Sequence, residues 1–417
     1  MTSVAGIPAG AGQNPAKKQK ASRVWWHVHQ WVGLKLSIFM AFILLTGSLA
    51  VVAHEIDWLI QPSLRVAPSS VAAGEPNWSA IAVSAAEYPR TARVRSIDAP
   101  TASAFAVRVT VDWDDGTLGF LHIHPTTGEV QGEGWWVGAQ RILRNMHRHL
   151  NLPTKYGVPL VSALSVLLLI SFVTSMIVYK KWWRGFLRSP RPRNARTWWG
   201  DFHRLAGVWS LWFVLLIGVT GLWYLVESLG GDAPPMAEGK AVSGEVDHFG
   251  VGRQLASSLA AARAADPALT IERIRFPDDD NASFIFEGQK SAWLVRPRAN
   301  AVWTATETGK VMLVTDASEL DVHQRIGEMA DPLHFGTFGG YWTKIPWFLF
   351  GLLMTALSVS GVALYALRIG HDVRERISWR ASAPAMWQGM GWWKWPAMAA
   401  VVTGFVLLPE LFGQTAG

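Results

Sequence analysis

Two histidines open a pair of similar apolar segments. His29 begins HQWVGLKLSIFMAFILLTG and His203 begins HRLAGVWSLWFVLLIGVTG, 174 positions further along the chain. Each segment has Gly four residues after the histidine and ends in Thr-Gly. Neutral imidazole is a common metal ligand, so the repeat predicts two imidazoles that share one metal. A histidine that snorkels to the lipid headgroups is the simpler alternative, and it explains one copy better than two.

A second set of histidines follows the same repeat. His147, in NMHRHL, and His334, in DPLHFG, are 187 residues apart, close to the offset of the first pair, and a symmetric pair is the simplest prediction. His54 competes for this role because it lies about seven helical turns after His29, on nearly the same side of a helix. His149 is a weaker candidate for this role than His147. The candidate ligands are therefore His29, His203, His147, His334 and His54.

The composition is typical of an integral membrane protein. Half of the 417 residues are apolar, only 17% are charged, and there are 24 tryptophans. Four uncharged apolar runs, 36–53, 158–179, 205–226 and 345–367, are each long enough to cross a bilayer. A fifth, 385–408, is interrupted by Lys394 and Pro396. The absence of cysteine excludes disulfides, thiolate-held iron–sulfur clusters and covalently attached haem.

The basic residues predict the orientation of the spans. They cluster before the first run, in the loop KKWWRGFLRSPRPRNAR after the second, and after the fourth. The net charge of +7 is thus interpreted as a topology signal and not as a nucleic-acid surface. The positive-inside rule places these basic segments in the cytoplasm. The spans would then cross a bacterial inner membrane, with the two long intervening segments in the periplasm. The first span has no cleavage site and is expected to remain as an anchor.

Both long outer segments predict small folded modules. Alternating stretches such as SAFAVRVTVDWDDGTLGFLHIHPTTGEVQG, with turns at Asp-Gly and Thr-Gly, are typical of antiparallel strands, and a short helix precedes them in each segment. His122 and His124 lie two residues apart on one face of a predicted strand. They are interpreted as exposed polar residues and not as a pair of metal ligands. The predicted fold is a mainly α membrane protein: a four-helix bundle with a possible fifth helix, built from two repeats, each carrying an α+β module.

The predicted organisation divides the chain into nine parts. They are a cytoplasmic segment 1–32, helix 33–56, module 57–145, outer histidine segment with helix 146–180, basic loop 181–201, helix 202–227, module 228–330, outer histidine segment with helix 331–368, and a cytoplasmic segment with the possible fifth helix 369–417.

Together these motifs resemble the PepSY-associated transmembrane family. The resemblance rests on HQWVGL…LLTG, HEIDWLIQPSL, NMHRHLNLP, FHRLAGVW…GVTGLW and DPLHFGTFGG, and on the TTGE and ETGK turns, and it covers about residues 23–380. The family includes siderophore reductases of the FoxB type. The resemblance implies haem b within the membrane bundle and electron delivery to periplasmic ferric siderophores, which release iron as Fe(II).

On this resemblance two haems are expected. His29 and His203 would hold an inner haem, and two of His147, His334 and His54 an outer one. Gly33 and Gly207, one turn after the inner histidines, would leave room for a flat macrocycle. Arg144, Arg148 and Arg204 are candidates for the haem propionates, with lipid phosphates as the alternative.

The chain lacks a glycine-rich dinucleotide fingerprint, so neither flavin nor nicotinamide is expected. The electron donor would be quinol or a separate cytoplasmic reductase. The leading alternative is a membrane-anchored PepSY protein that binds ligands or regulates a protease without redox activity. An iron or siderophore transporter is a further option, although the spans have few polar residues at mid-membrane depth. A red, reducible preparation would favour electron transfer.

Overall fold

The computed structural model describes residues 15–67, 74–239, 250–278, 281–372, 384 and 386–413. Within them, four helical stretches are long and apolar enough to cross a membrane: Thr154–Val178, Arg196–Gly231, Tyr341–Tyr365 and Gly391–Phe412. A bent pair, Arg23–Lys35 with Ser37–Val51, is a fifth candidate. The chain is a multi-pass membrane protein. Ala385, the first residue of the predicted fifth run 385–408, lies outside the described residues.

The first span differs from the continuous helix predicted for 33–56. Helix α1 (Pro15–Lys35) and helix α2 (Ser37–Val51) meet at Leu36, where the axis bends by 67°. The Lys35 amine donates to the carbonyl of Gly389, 2.9 Å away, on the segment that leads into the candidate span Gly391–Phe412. His29 therefore lies within a helix, on the far side of the bend. A short helix α3 (Ala53–Ile60) then follows α2.

The remaining helices complete a ring of spans. Helix α6 (Thr154–Ser162) and helix α7 (Leu164–Val178) form the second span, helix α8 (Ala195–Val226) the third and helix α11 (Tyr341–Asp372) the fourth. α2 packs on α11, α11 on α8, α8 on α7, and α7 on α1. The first and third spans thus lie diagonally opposite, as do the second and fourth. Helix α12 (Lys394–Val406) packs outside the ring against α2.

The two predicted modules form one continuous sheet. Its strands are β1 (Thr91–Asp98), β2 (Val107–Trp113), β3 (Leu118–Ile123), β4 (Val130–Gly134), β5 (Thr270–Arg275), β6 (Ser283–Gln289), β7 (Ala301–Ala305) and β8 (Val311–Thr315). Their order is β4-β3-β2-β1-β5-β6-β7-β8, entirely antiparallel. β1 and β5 pair at the centre, with Ile97 opposite Ile274. The two modules therefore belong to one sheet. Pairing of β1 with β5 covers the strand of each module that would otherwise be an exposed edge.

Strand alternation gives the sheet two different faces. Helix α4 (Trp78–Ala86) and helix α9 (Val251–Ala265) cover one face, and the main core lies there, with Ile81, Val109 and Leu255 fully buried. Residues that alternate with this core, such as Arg108 and His122, face the opposite way. Two further helices, α5 (Ala139–His149) and α10 (Val322–Phe335), immediately precede the second and fourth spans. The side of the bundle that carries the sheet is called the sheet side below.

The seam between β1 and β5 should make a large contribution to stability. Ile97 is fully buried at this seam, so Ile97→Ala removes packing from both modules and should cost about 2–5 kcal/mol of unfolding free energy. Thermal unfolding in detergent measures the effect. Ile60→Ala, at a position 47% exposed, is the matched control and should change stability little. Equal melting temperatures for the two variants would show that the seam does not hold the modules together.

Candidate functional site

His147 and His334 meet near the sheet side of the bundle. Their ring centroids are 6.0 Å apart, with 38° between the ring planes. His147 comes from α5 and His334 from α10, and these helices hold the same place in their respective repeats. α5 packs against α2, and α10 against α8. The symmetric pairing predicted from the sequence offset thus agrees with the geometry.

The His147 ring is held by the first span, and the His334 ring by the third. The Nδ1 of His147 is 2.9 Å from the carbonyl oxygen of Ile43. A Cβ on Gly47 would lie 2.5 Å from the His147 ring, so glycine is needed for the ring to approach α2. The Nδ1 of His334 is 2.8 Å from the Thr220 hydroxyl oxygen. Gly47 and Thr220 belong to the two Thr-Gly endings that the sequence repeats.

These partners fix the tautomer of both rings. A carbonyl oxygen only accepts, so His147 carries its proton on Nδ1. The Thr220 hydroxyl donates its one proton to the Leu216 carbonyl, 2.9 Å away, and therefore accepts from Nδ1 of His334. In the neutral form, Nε2 of each ring then holds the free lone pair. Burial lowers the pKa of His147, and burial with the nearby His147 lowers the pKa of His334 to about 3, which keeps both rings neutral.

On the opposite side of the bundle, hydrogen bonds fix the tautomers of His29 and His203 in the same way. The Nδ1 of His29 is 3.0 Å from the Thr174 hydroxyl, and the Nδ1 of His203 is 2.8 Å from the Ser360 hydroxyl. Thr174 donates to a carbonyl of its own helix, as does Ser360. Both hydroxyls therefore accept from Nδ1, and Nε2 is again left with the lone pair.

His29 and His203 stand on diagonally opposite spans. α1 and α8 both pack against α7 and α11. A Cβ on Gly33 would meet nothing within 4 Å, and one on Gly207 only Leu357 at 3.8 Å. His203 and Thr220 are 17 residues apart on α8, so the two histidine pairs are separated by about 25 Å.

His54, the fifth candidate ligand, lies in the wall of a cavity of about 560 Å³ on the sheet side. Its pKa is lowered to about 3, first by burial and then by the positive charges of Arg108, Lys344 and Arg144. The structure thus gives His54 a different setting from the paired rings of His147 and His334. His149, the weaker rival, is buried beside Gly157.

Two residues of the site were missed or misjudged in the sequence. His122 was predicted to be exposed, but it is 1% exposed, bonds Ser63 through Nδ1 at 2.8 Å and lines the cavity. The prediction was wrong because both faces of the sheet are covered. Asp57 is also buried, and its carboxylate accepts from the backbone N–H groups of Ala139 and Gln140 at 2.6 and 3.0 Å. It caps the helix that carries His147.

The three predicted arginines have separate settings. Arg204 pairs with the buried Asp201 at 3.0 Å, on the helix that carries His203. Arg144 is three residues before His147, near enough to Asp331 for their opposite charges to attract. Arg148 is exposed. Tyr224 donates to Asp331 at 2.6 Å and places its ring edge-on to His334, with centroids 5.2 Å apart.

The described residues contain no group of three or more His, Asp or Glu side chains that could hold a bare metal ion. The histidines come instead in twos. Two imidazoles with free Nε2 atoms would suit a metal whose other ligands belong to a cofactor. The arrangement therefore fits a macrocycle-bound iron better than a structural zinc or a hydrated cation.

Comparison with known proteins assigns the family. The sequence model of the PepSY-associated TM region matches residues 26–368, and the chain belongs to this family. A stretch of 127 residues is 29% identical to an uncharacterised protein of Pseudomonas aeruginosa, covering 25% of this chain and 32% of that protein. The aligned part thus spans about a third of the relative's length. The family assignment confirms the resemblance predicted from the motifs.

The cap supplied by Asp57 should control the position of α5. Asp57→Ala leaves two backbone N–H groups without their acceptor and should cost about 1–2 kcal/mol. Hydrogen exchange at the first turn of α5 should accelerate, and the melting temperature should fall. Asp114→Ala, which removes an exposed turn aspartate, is the control and should leave both unchanged. Unaltered exchange in the Asp57 variant would contradict a capping role.

Proposed function

We propose that this protein is a haem b-containing inner-membrane reductase that delivers electrons to periplasmic ferric siderophores. The observation that carries the proposal is the state of four histidines. His147 and His334 meet in a pair, and His29 and His203 stand on diagonally opposite spans. In each of the four rings Nδ1 is engaged while Nε2 keeps its lone pair. A hydrogen bond on one nitrogen that orients the other toward a metal is the usual support of a histidine ligand.

The geometry of the sheet-side pair fits haem iron. Metal–imidazole bonds are about 2 Å long, so two rings that would share one metal must have centres within about 6 Å of each other. The observed separation of His147 and His334 is 6.0 Å. Haem b held between two imidazoles supplies reversible one-electron transfer. The protein's part is to hold the four rings neutral and oriented, and to keep the bundle around them dry.

The placement of the pairs supports transport of electrons across the membrane. One pair lies near each side of the bundle, about 25 Å apart along α8. With the basic loops in the cytoplasm, the sheet lies in the periplasm. His29 and His203 then stand at the side reached by quinol or a cytoplasmic reductase. His147 and His334 stand at the side that carries the 560 Å³ cavity, a volume suited to a chelate.

Reduction explains iron release without destruction of the chelator. Siderophore oxygens are hard donors that bind Fe(III) more strongly than Fe(II), so one electron weakens the complex. The anchored PepSY alternative needs the sheet and its cavities but gives no reason for four oriented imidazoles inside the bundle. The paired histidines therefore favour the redox function.

A single-turnover experiment tests this function. The purified protein is reduced without oxygen, freed of reductant and mixed with a ferric siderophore while a ferrous chelator reports Fe(II). The reduced wild-type protein should be reoxidised, with one Fe(II) formed for each electron that it loses. The variants His203→Ala and His334→Ala should lose this reaction. His323→Ala is the matched control, because His323 lies on the same helix as His334 but bonds the Gly231 carbonyl. Colourless wild-type protein would refute the proposal.

Gly47 should be required for the sheet-side cofactor. Gly47→Ala puts a methyl group where the His147 ring lies, so the ring must move away from Ile43. We expect the variant to keep about half of the wild-type haem per chain, measured as the reduced pyridine complex. Gly200→Ala, whose new Cβ would be 3.7 Å from Leu364, is the control and should keep all of it. Full haem content in the Gly47 variant would show that His147 is not a ligand.

Thr220 should increase the affinity of the sheet-side site for haem through its hydrogen bond with His334. Thr220→Val keeps the shape of the side chain but removes the acceptor of the Nδ1 proton, and sheet-side haem should bind about ten- to a hundred-fold more weakly. The measurement is haem titration of the stripped protein. Thr46→Val is the matched control, because Thr46 holds the equivalent place in the first repeat and bonds only carbonyls of its own helix. Equal affinities in the two variants would contradict the role of Thr220.

A further inference from the structure

The loop between the second and third spans carries a large positive charge. It covers residues 179–194, and no Asp or Glu occurs in it. Its basic side chains are all exposed: Lys180, Lys181, Arg184, Arg188, Arg191 and Arg193. Around this loop, the ion pairs among the described residues are those of Asp201 with Arg191, at 2.8 Å, and with Arg204, at 3.0 Å. Five of the six loop cations therefore have no carboxylate partner among the described residues.

The first part of this loop, residues 180–188, folds against the third span and is called the hook below. Trp182–Gly185 form a 3₁₀ turn, and the Arg184 N–H donates to the Lys181 carbonyl at 3.0 Å. On α8, Nε1 of Trp209 donates to the Phe186 carbonyl at 3.0 Å. The rings of these two residues meet edge-on, with centroids 6.0 Å apart. The hook thus holds Lys181 and Arg184 in one turn of backbone, so little chain entropy is lost when both contact one ligand.

The hook also exposes apolar side chains beside its cations. Leu187 is 92% exposed and Trp183 is 56% exposed, and each is followed by an arginine, Arg188 or Arg184. The hook begins two residues after Val178, where the second span ends, so it lies at the membrane surface. Apolar side chains interleaved with Lys and Arg are typical of a segment at this depth, because the apolar groups enter the acyl region while the charges stay with the headgroups. A soluble acidic protein would match the charge but would not explain the exposed Leu187, so the pattern favours a lipid.

We propose that the hook binds an anionic phospholipid of the adjacent leaflet. Lys181 and Arg184 contact the lipid phosphate through charge-assisted hydrogen bonds. Leu187 and Trp183 pack against the acyl chains of the same lipid. The inference goes beyond the proposed function and requires no haem.

Native mass spectrometry of the purified full-length protein in a non-ionic detergent tests this site. The protein is titrated separately with dioleoyl phosphatidylglycerol and dioleoyl phosphatidylcholine, which have the same acyl chains but differ in headgroup charge. We expect phosphatidylglycerol to be retained more strongly. The difference between the two lipids should decrease as the ionic strength is raised, because salt screens exposed charges.

Three substitutions in the hook separate the charge from the apolar contact. Lys181→Gln and Arg184→Gln should each weaken binding of phosphatidylglycerol about fivefold and leave phosphatidylcholine unchanged. Leu187→Ser should weaken both lipids, because its contact does not depend on the headgroup. All three side chains are exposed, so the melting temperature in lipid-free detergent should stay at the wild-type value.

Lys155→Gln is the matched control. Lys155 is also exposed, but it lies in α6, at the opposite end of the second span, and its removal should not change the binding of either lipid. Equal retention of the two lipids would overturn the proposal, and so would an equal loss of phosphatidylglycerol in the Lys155 and Lys181 variants. Glycerol 3-phosphate and a peptide of ten glutamates are added as soluble competitors. Displacement of the lipid by either competitor at equal concentration would assign the hook to a soluble anion or to an acidic protein and would refute the lipid site.

Discussion

The structure depends on how imidazoles are placed inside an apolar bundle. A buried histidine must satisfy its N–H group, because an unpaired donor in a dry environment costs about 1–3 kcal/mol. Here each of the four rings gives that proton to an oxygen on a span of the same repeat: Ile43, Thr174, Thr220 or Ser360. The second nitrogen is then left as a bare acceptor. In the proposed function an iron-bound cofactor would take that lone pair, which would connect folding of the bundle to its chemistry.

The sheet and the bundle are coupled through two short helices. α5 and α10 bring His147 and His334 from the sheet side into the bundle, and each has an aspartate at its start, Asp57 for α5 and Asp321 for α10. Asp57 belongs to α3, which continues from the first span, so the cap also fixes α5 relative to that span. The seam between β1 and β5 holds the two repeats together above them. Small changes in the sheet therefore reach both rings of the pair.

Much of this arrangement is predictable from local patterns. Uncharged apolar runs predict the spans because a bilayer fixes their length. The duplicated His, Gly and Thr-Gly positions predict which histidines hold equivalent places in the two repeats, because a repeat preserves geometry. The bend at Leu36 has no such signal, since neither proline nor glycine stands there. The β1–β5 seam joins strands about 180 residues apart in sequence. Burial of His122 depends on the approach of Ser63, 59 residues earlier in the chain, and burial of Asp57 depends on the approach of α5, so both escape local analysis.

The central claim is that imidazoles from different helices share iron at two depths of the bundle. Electron paramagnetic resonance of the oxidised, purified protein, with haem quantified per chain, tests it most directly. The account predicts two haems b per chain, both low-spin with two imidazole ligands. Protein without haem, or with only high-spin iron bound by a single histidine, would contradict it.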